Sequence, residues 1–255
     1  MGTFFLPTSA NTYLADKRYD KPLLVSLLRQ GRQAGKVILG DLKLGTDPIE
    51  PFEAFQRAVG GYRNIRSLNA FVDPDGVLRG APALLTFRAE DGTETLRPSM
   101  SLEIAQRHIG EEAQLSDDGA LRFNGREIPY HGAYNLIANF DGGAGAIPTY
   151  SFYDVHRCLE AGNTAYLQEH FAGKAVLFGL VLDLEDRKLA SNRFINQPDF
   201  AGAPETCSGA PVPVSPIERS TMAGIYLHAT AVNNLIRGTA IERVPPPVHI
   251  AFTAL

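Results

Sequence analysis

Residues 174–182, Lys174-Ala175-Val176-Leu177-Phe178-Gly179-Leu180-Val181-Leu182, constrain this chain more than any other stretch. Apolar side chains fill nearly every position, so a strand built from them asks for cover on both faces. A strand shielded on two sides belongs to a sheet packed between helices. The run is too short for a bilayer, which takes about 20 apolar residues. Stretches of helical and strand period alternate along the rest of the chain, and 255 residues suffice for a substantial core. The expected fold is α/β: a single domain, residues 1–255, with a mostly parallel central sheet flanked by helices, plus a small antiparallel hairpin region.

Helices are expected over 21–32, 51–59, 98–108, 151–159 and 221–237. Pro22 sits in the first turn of the first, and Leu24, Leu27 and Leu28 form its stripe. Ser151 with Asp154 resembles a capping box. In the last helix Met222, Ile225, Ala229, Val232 and Leu235 share a face, and Gly238 is its natural stop. Strands are expected over 36–39, 65–72, 83–87, 120–123 and 133–140. Asp91-Gly92, Asp117-Asp118-Gly119 and Asn124-Gly125 signal tight hairpin turns. Residues 1–19 are a poorly defined start. Residues 187–220 read as a long, proline-dotted loop of the kind that often carries function. Residues 239–255 form a proline-rich exit that ends apolar.

A net charge of −4 without a dense Lys/Arg cluster excludes nucleic acid as a natural partner. Cys158 and Cys207 have no metal-ligand spacing. They could form a disulfide outside the cytoplasm, or remain a buried helical thiol and a loop thiol. The six histidines are scattered without zinc spacing, and neither G-x-S-x-G nor H-E-x-x-H occurs. Gly142-Gly143-Ala144-Gly145 fits neither the P-loop nor the dinucleotide fingerprint, so no cofactor is expected.

The polar candidates cluster at turns. Asp73, Asp75 and Arg79 surround Pro74 and Gly76. They suit a ligand or cation site at strand ends, or a turn held by Asx bonds with an internal Asp–Arg pair. Asn139, Asp141 and Tyr150 flank the glycine-rich run, whose backbone could cradle an anion or simply turn. His228 lies beside the apolar stripe of the last helix, as a ligand contact or pH-sensitive group, or as a satisfied core histidine. Asp186 follows the 174–182 strand at its carboxyl end, where sites and ordinary loops both begin.

Several of these pieces occur in a telling order. Asp73-Pro74-Asp75-Gly76-Val77-Leu78-Arg79 comes first, then Pro98-Ser99-Met100-Ser101-Leu102, then Ile137-Ala138-Asn139-Phe140 with its glycine-rich turn. Tyr150-Ser151 with Asp154-Val155 follows, then Gly173 to Gly179 with Asp186, and Gly224-Ile225-Tyr226-Leu227-His228-Ala229 with Asn233, Leu235 and Gly238. This order resembles the type-two CHASE domain, the extracytoplasmic sensory module of bacterial adenylate cyclases, histidine kinases and serine/threonine kinases. The resemblance implies a non-catalytic, ligand-binding input domain on the periplasmic or extracellular face. It would be tethered to membrane helices in its full-length parent, bind an unidentified small molecule and be compatible with a homodimer. It also implies an N-terminal truncation, because the family usually begins with a further strand and helix. The alternative from another class is a stand-alone α/β hydrolase using carboxylates near Asp73 and Asp186.

Overall fold

The computed structural model describes residues 2–4, 20–44, 47–88, 91–141, 147–181, 187–191, 206–207 and 221–244. Strand β1 (Gly2–Phe4) precedes helix α1 (Asp20–Leu27), and one π-helical turn, Leu28–Gln33, extends that helix. Next come β2 (Val37–Leu44), β3 (Asp47–Ile49), α2 (Glu53–Val59) and β4 (Ile65–Ser67). Short strands follow: β5 (Val77–Leu78), β6 (Gly80–Pro82), β7 (Leu84–Arg88) and β8 (Glu94–Pro98). They lead to α3 (Met100–Ile109), where the Ser99 hydroxyl accepts the Leu102 N–H at 3.3 Å and a left-handed Gly110 stops the helix.

Strands β9 (Gln114–Leu115), β10 (Leu121–Phe123), β11 (Arg126–Glu127) and β12 (Asn135–Ile137) come before α4 (Phe152–Glu160) and α5 (Thr164–Phe171). The described chain continues with β13 (Val176–Leu177), β14 (Arg187–Ala190), β15 (Thr221–Ala223) and α6 (Gly224–Arg237).

The fold is mixed α/β, but its sheets are small and mostly antiparallel, which corrects the expected mostly parallel central sheet. Parallel pairing joins β13, β1, β2 and β4, with β3 antiparallel on the far part of β2. The remaining described pairs are antiparallel, apart from β5 beside β14. The reason lies in the connections. Parallel neighbours need a long crossover, and α1 and α2 supply one between β1 and β2 and between β2 and β4. Elsewhere the strands are joined through turns such as Asp91-Gly92 and Asn124-Gly125, and such turns reverse the chain.

A second correction concerns 174–182. Only Val176 and Leu177 form a strand, half-buried and paired with β1 alone among the described residues. Phe178, Leu180 and Val181 are 40%, 58% and 45% exposed. The strand with both faces covered is β2. Leu39 packs with Leu27, Phe55 and Val59 below α1 and α2, while Ile38 packs with Met100, Ile104 and Val232 of α3 and α6. An apolar run specifies no face, so its composition cannot show which strand the helices cover.

The largest core lies under the α3–α6 pair. It gathers Leu102, Leu121, Phe123, Leu136, Met222 and Leu227 from the helices and antiparallel strands. The β10–β11 hairpin also holds the end of α6. The Asn124 amide donates to the Ile236 carbonyl at 3.1 Å, and the Arg126 guanidinium donates to that of Arg237. These carbonyls would otherwise lack helical partners.

Candidate functional site

The Asp73 turn closes on its own backbone. Asp73 N–H donates to the Val77 carbonyl at 3.0 Å, and Gly76 N–H donates to the Asp73 carbonyl at 2.8 Å. Gly76 takes a φ of 78°, which a side chain would resist. Arg79 folds back over the turn. Its Nη1 donates to Asp73 Oδ2 at 2.7 Å and to Asp75 Oδ1 at 2.9 Å, and its Nη2 donates to Asp75 Oδ2 at 2.6 Å. The Arg79 hydrogen bonds, followed by the Val77 N–H, hold the Asp75 carboxyl down at about 2. The same contacts push the guanidinium further up. The cluster therefore has the bonding of an Asx turn with an internal Asp–Arg pair.

A strand crossing connects this turn to Asn139. β6 and β12 pair antiparallel, with Gly80 opposite Ile137, and the Ala138 N–H donates to the Arg79 carbonyl at 2.9 Å. A Cβ on Gly80 would lie 2.4 Å from the Leu136 oxygen, so the close crossing requires glycine. One residue further, Asn139 meets α6. Its N–H donates to Asn234 Oδ1 at 2.7 Å, and its carbonyl accepts Asn234 Nδ2 at 3.2 Å. Asn139 Oδ1 is buried without a hydrogen-bond partner among the described residues. Asp141 is exposed beside it in sequence, and residues 142–146 of the glycine-rich run lie outside the described residues.

The other candidates are dispersed. Tyr150 packs against α5, its hydroxyl 3.1 Å from His170 Nδ1 and its ring beside Phe171. Burial first, and the charge of Glu169 second, raise its phenol. His228 is buried between α6 and α3, with Nδ1 3.2 Å from the Ser101 hydroxyl, as a core histidine would be. Asp186 lies outside the described residues. The arrangement therefore brings Asp73, Asp75, Arg79 and Asn139 into one neighbourhood and leaves Tyr150 and His228 in separate ones. Among the described residues no group of three or more His, Cys, Asp or Glu is placed to hold a metal ion. No helix among them is long and apolar enough to cross a membrane.

The CHASE2 domain family model matches residues 5–254. The chain belongs to the CHASE2 domain family. CHASE2 domains are sensory extracellular domains of signalling proteins. Comparisons with curated proteins and with solved structures returned no match.

Two features of this CHASE2 domain have no full signal in the sequence. Asn234 passed for one more residue of an amphipathic helix, and no local signal distinguishes it. Glu103 is buried between Arg66 and Arg107, receiving Arg66 Nε at 2.9 Å and Arg107 Nε at 2.6 Å. The i,i+4 spacing of Glu103 and Arg107 was a usable signal, whereas Arg66 comes from another element. Of the two alternatives for the cysteines the disulfide is the one formed: Cys158 and Cys207 are joined, with Cα atoms 5.7 Å apart. The expected Ser151–Asp154 capping box does not form. Ser151 makes no side-chain cap bond, and Asp154 instead accepts the Cys207 N–H at 2.7 Å.

Proposed function

We propose that this CHASE2 domain is the ligand-binding input module of a bacterial transmembrane signalling protein such as an adenylate cyclase, a histidine kinase or a serine/threonine kinase. Its recognition end comprises the Asp73 turn and the loop that starts at Asn139, and its tether is a set of membrane helices in the parent chain. The reading is carried by one observation: Ala138 bonds to Arg79 and the next residue bonds to Asn234, so two sequence landmarks of the family meet each other and the second meets the last helix. A signal requires a ligand that favours one of two arrangements, and a strand end bonded to a helix supplies the structural means. The Cys158–Cys207 disulfide supports placement in an oxidising compartment. The hydrolase alternative has no such support. That alternative needs Asp73 and Asp186 in one pocket, and Arg79 already occupies Asp73 while Asp186 lies outside the described residues.

The test is a thermal-shift and calorimetry panel of amines, polyols, organic acids and inorganic cations on the intact chain. A true ligand at about 100-fold over its Kd raises Tm by about 5 °C or more. That gain disappears in Asn139→Ala or Asp141→Ala. A panel without any stabilising compound, or a gain that both variants keep, removes this reading of the site.

A further inference from the structure

We infer that Asn234 is a positioning residue: its carboxamide is the joint that couples the loop after Asn139 to helix α6. The inference rests on the proposed recognition role of that loop, and it specifies how the loop acts on the helix.

The geometry is that of a backbone pair in which one backbone is replaced by a side chain. Asn234 accepts the Asn139 N–H at 2.7 Å and returns a donor to the Asn139 carbonyl at 3.2 Å. Its Nδ2 also donates to Thr239 Oγ1 at 3.2 Å, just past the end of α6. At 2% exposure Asn234 has no water to replace these bonds, so a shift of Asn139 must either move the helix or break them. The chain beyond α6 is tied to the same strand: Ile241 N–H donates to the Ile137 carbonyl at 3.0 Å.

A second joint lies on the far side of the glycine-rich run. Thr149 Oγ1 is 3.0 Å from the Tyr226 hydroxyl, at the start of α6. Asn139 and Thr149, described residues on either side of that run, are therefore both bonded to one helix, at Asn234 and at Tyr226. Among the described residues, Asn139 Oδ1 beside the first joint is a buried acceptor with no partner. An occupant that brings an N–H or O–H donor to it completes the joint, and the change registers at the backbone that Asn234 grips.

Hydrogen–deuterium exchange on the intact chain, without added ligand, tests the coupling. In Asn234→Ala, which removes all three bonds of the carboxamide, exchange rises about tenfold or more in peptides covering 137–141 and, together with them, in the C-terminal half of α6. Peptides from α1 and α2 stay within about twofold of the wild type. A rise confined to one of the two segments, or a uniform rise through the whole chain, overturns the inference. If Asn234→Ala does not fold, Tyr226→Phe carries the test, since it removes only a hydroxyl. Joint acceleration at 147–151 and in the first half of α6 supports coupling, and an unchanged pattern refutes it. Because neither variant is read out with a ligand, this test can fail while the ligand panel succeeds, and the reverse.

Discussion

Two ion clusters in this domain use the same chemistry with opposite arithmetic. At the Asp73 turn one arginine serves two carboxylates, and the three side chains are 39%, 54% and 42% exposed for Asp73, Asp75 and Arg79. At Glu103 one carboxylate serves two arginines, and Arg66, Glu103 and Arg107 are only 15%, 10% and 17% exposed. The first cluster shapes a turn made from neighbouring residues. The second ties α3 to β4 and reaches further, since Arg107 also donates to the Gly35 and Arg63 carbonyls. Exposed pairs gain little because water and salt compete with them. Buried charges behave differently: the pair itself adds modest net stability, but removing one partner leaves the other stranded.

The sharpest way to break this comparison is Glu103→Ala. It leaves two buried guanidinium groups without a counter-ion, and urea denaturation is expected to show a loss of about 3–5 kcal/mol. Replacing all three members with apolar residues of similar volume should cost less than that single change. A result in the other order would mean that the cluster is itself a major source of stability.

Gly80→Ala is the next largest. The added Cβ meets the Leu136 carbonyl oxygen at 2.4 Å, and a backbone atom in a ladder cannot step aside cheaply. A loss of about 1–3 kcal/mol is expected by the same measurement. It would come with faster amide exchange at Ala138, whose N–H bonds to Arg79 beside the glycine.

Arg79→Ala is the smallest, a small fraction of the Glu103 effect at neutral pH. Its signature is instead the acid limb. Asp75 is lowered from its ordinary value of 3.8 to about 2, first by the Arg79 hydrogen bonds. A carboxyl lowered on folding contributes stability that is in place above pH 3.8 and fades as pH falls through about 2. Carboxyl titration by NMR should move Asp75 back toward 3.8 in Arg79→Ala, and that acid-limb contribution should vanish with it. An Asp75 that still titrates near 2 without Arg79 would transfer the effect to the Val77 N–H.

The same contrast explains what could be read from the chain. Features made by near neighbours were legible: the helix over 98–108, the Asp91-Gly92 and Asn124-Gly125 reversals, the Asp–Arg pairing, and the α6 stripe except Met222, which lies in strand β15 before that helix. Features made across long separations were not. Nothing around Arg66 announces Glu103, and nothing around Asn234 announces Asn139, because each partner is chosen by packing. The two-sided burial of β2 was hidden for the same reason. Its apolar core, Val37-Ile38-Leu39, is shorter than the 174–182 run, and only the helices decide which run lies between them. At the candidate site, residue types and turns were visible, but the crossing that joins Arg79 to Ala138 was not.

The bond between Cys158 and Cys207 has a topological consequence. It converts the intervening segment into a covalent ring closed on a buried helical anchor. A single peptide cleavage anywhere within that ring opens it without dividing the molecule, so both pieces remain one particle until the sulfurs are parted.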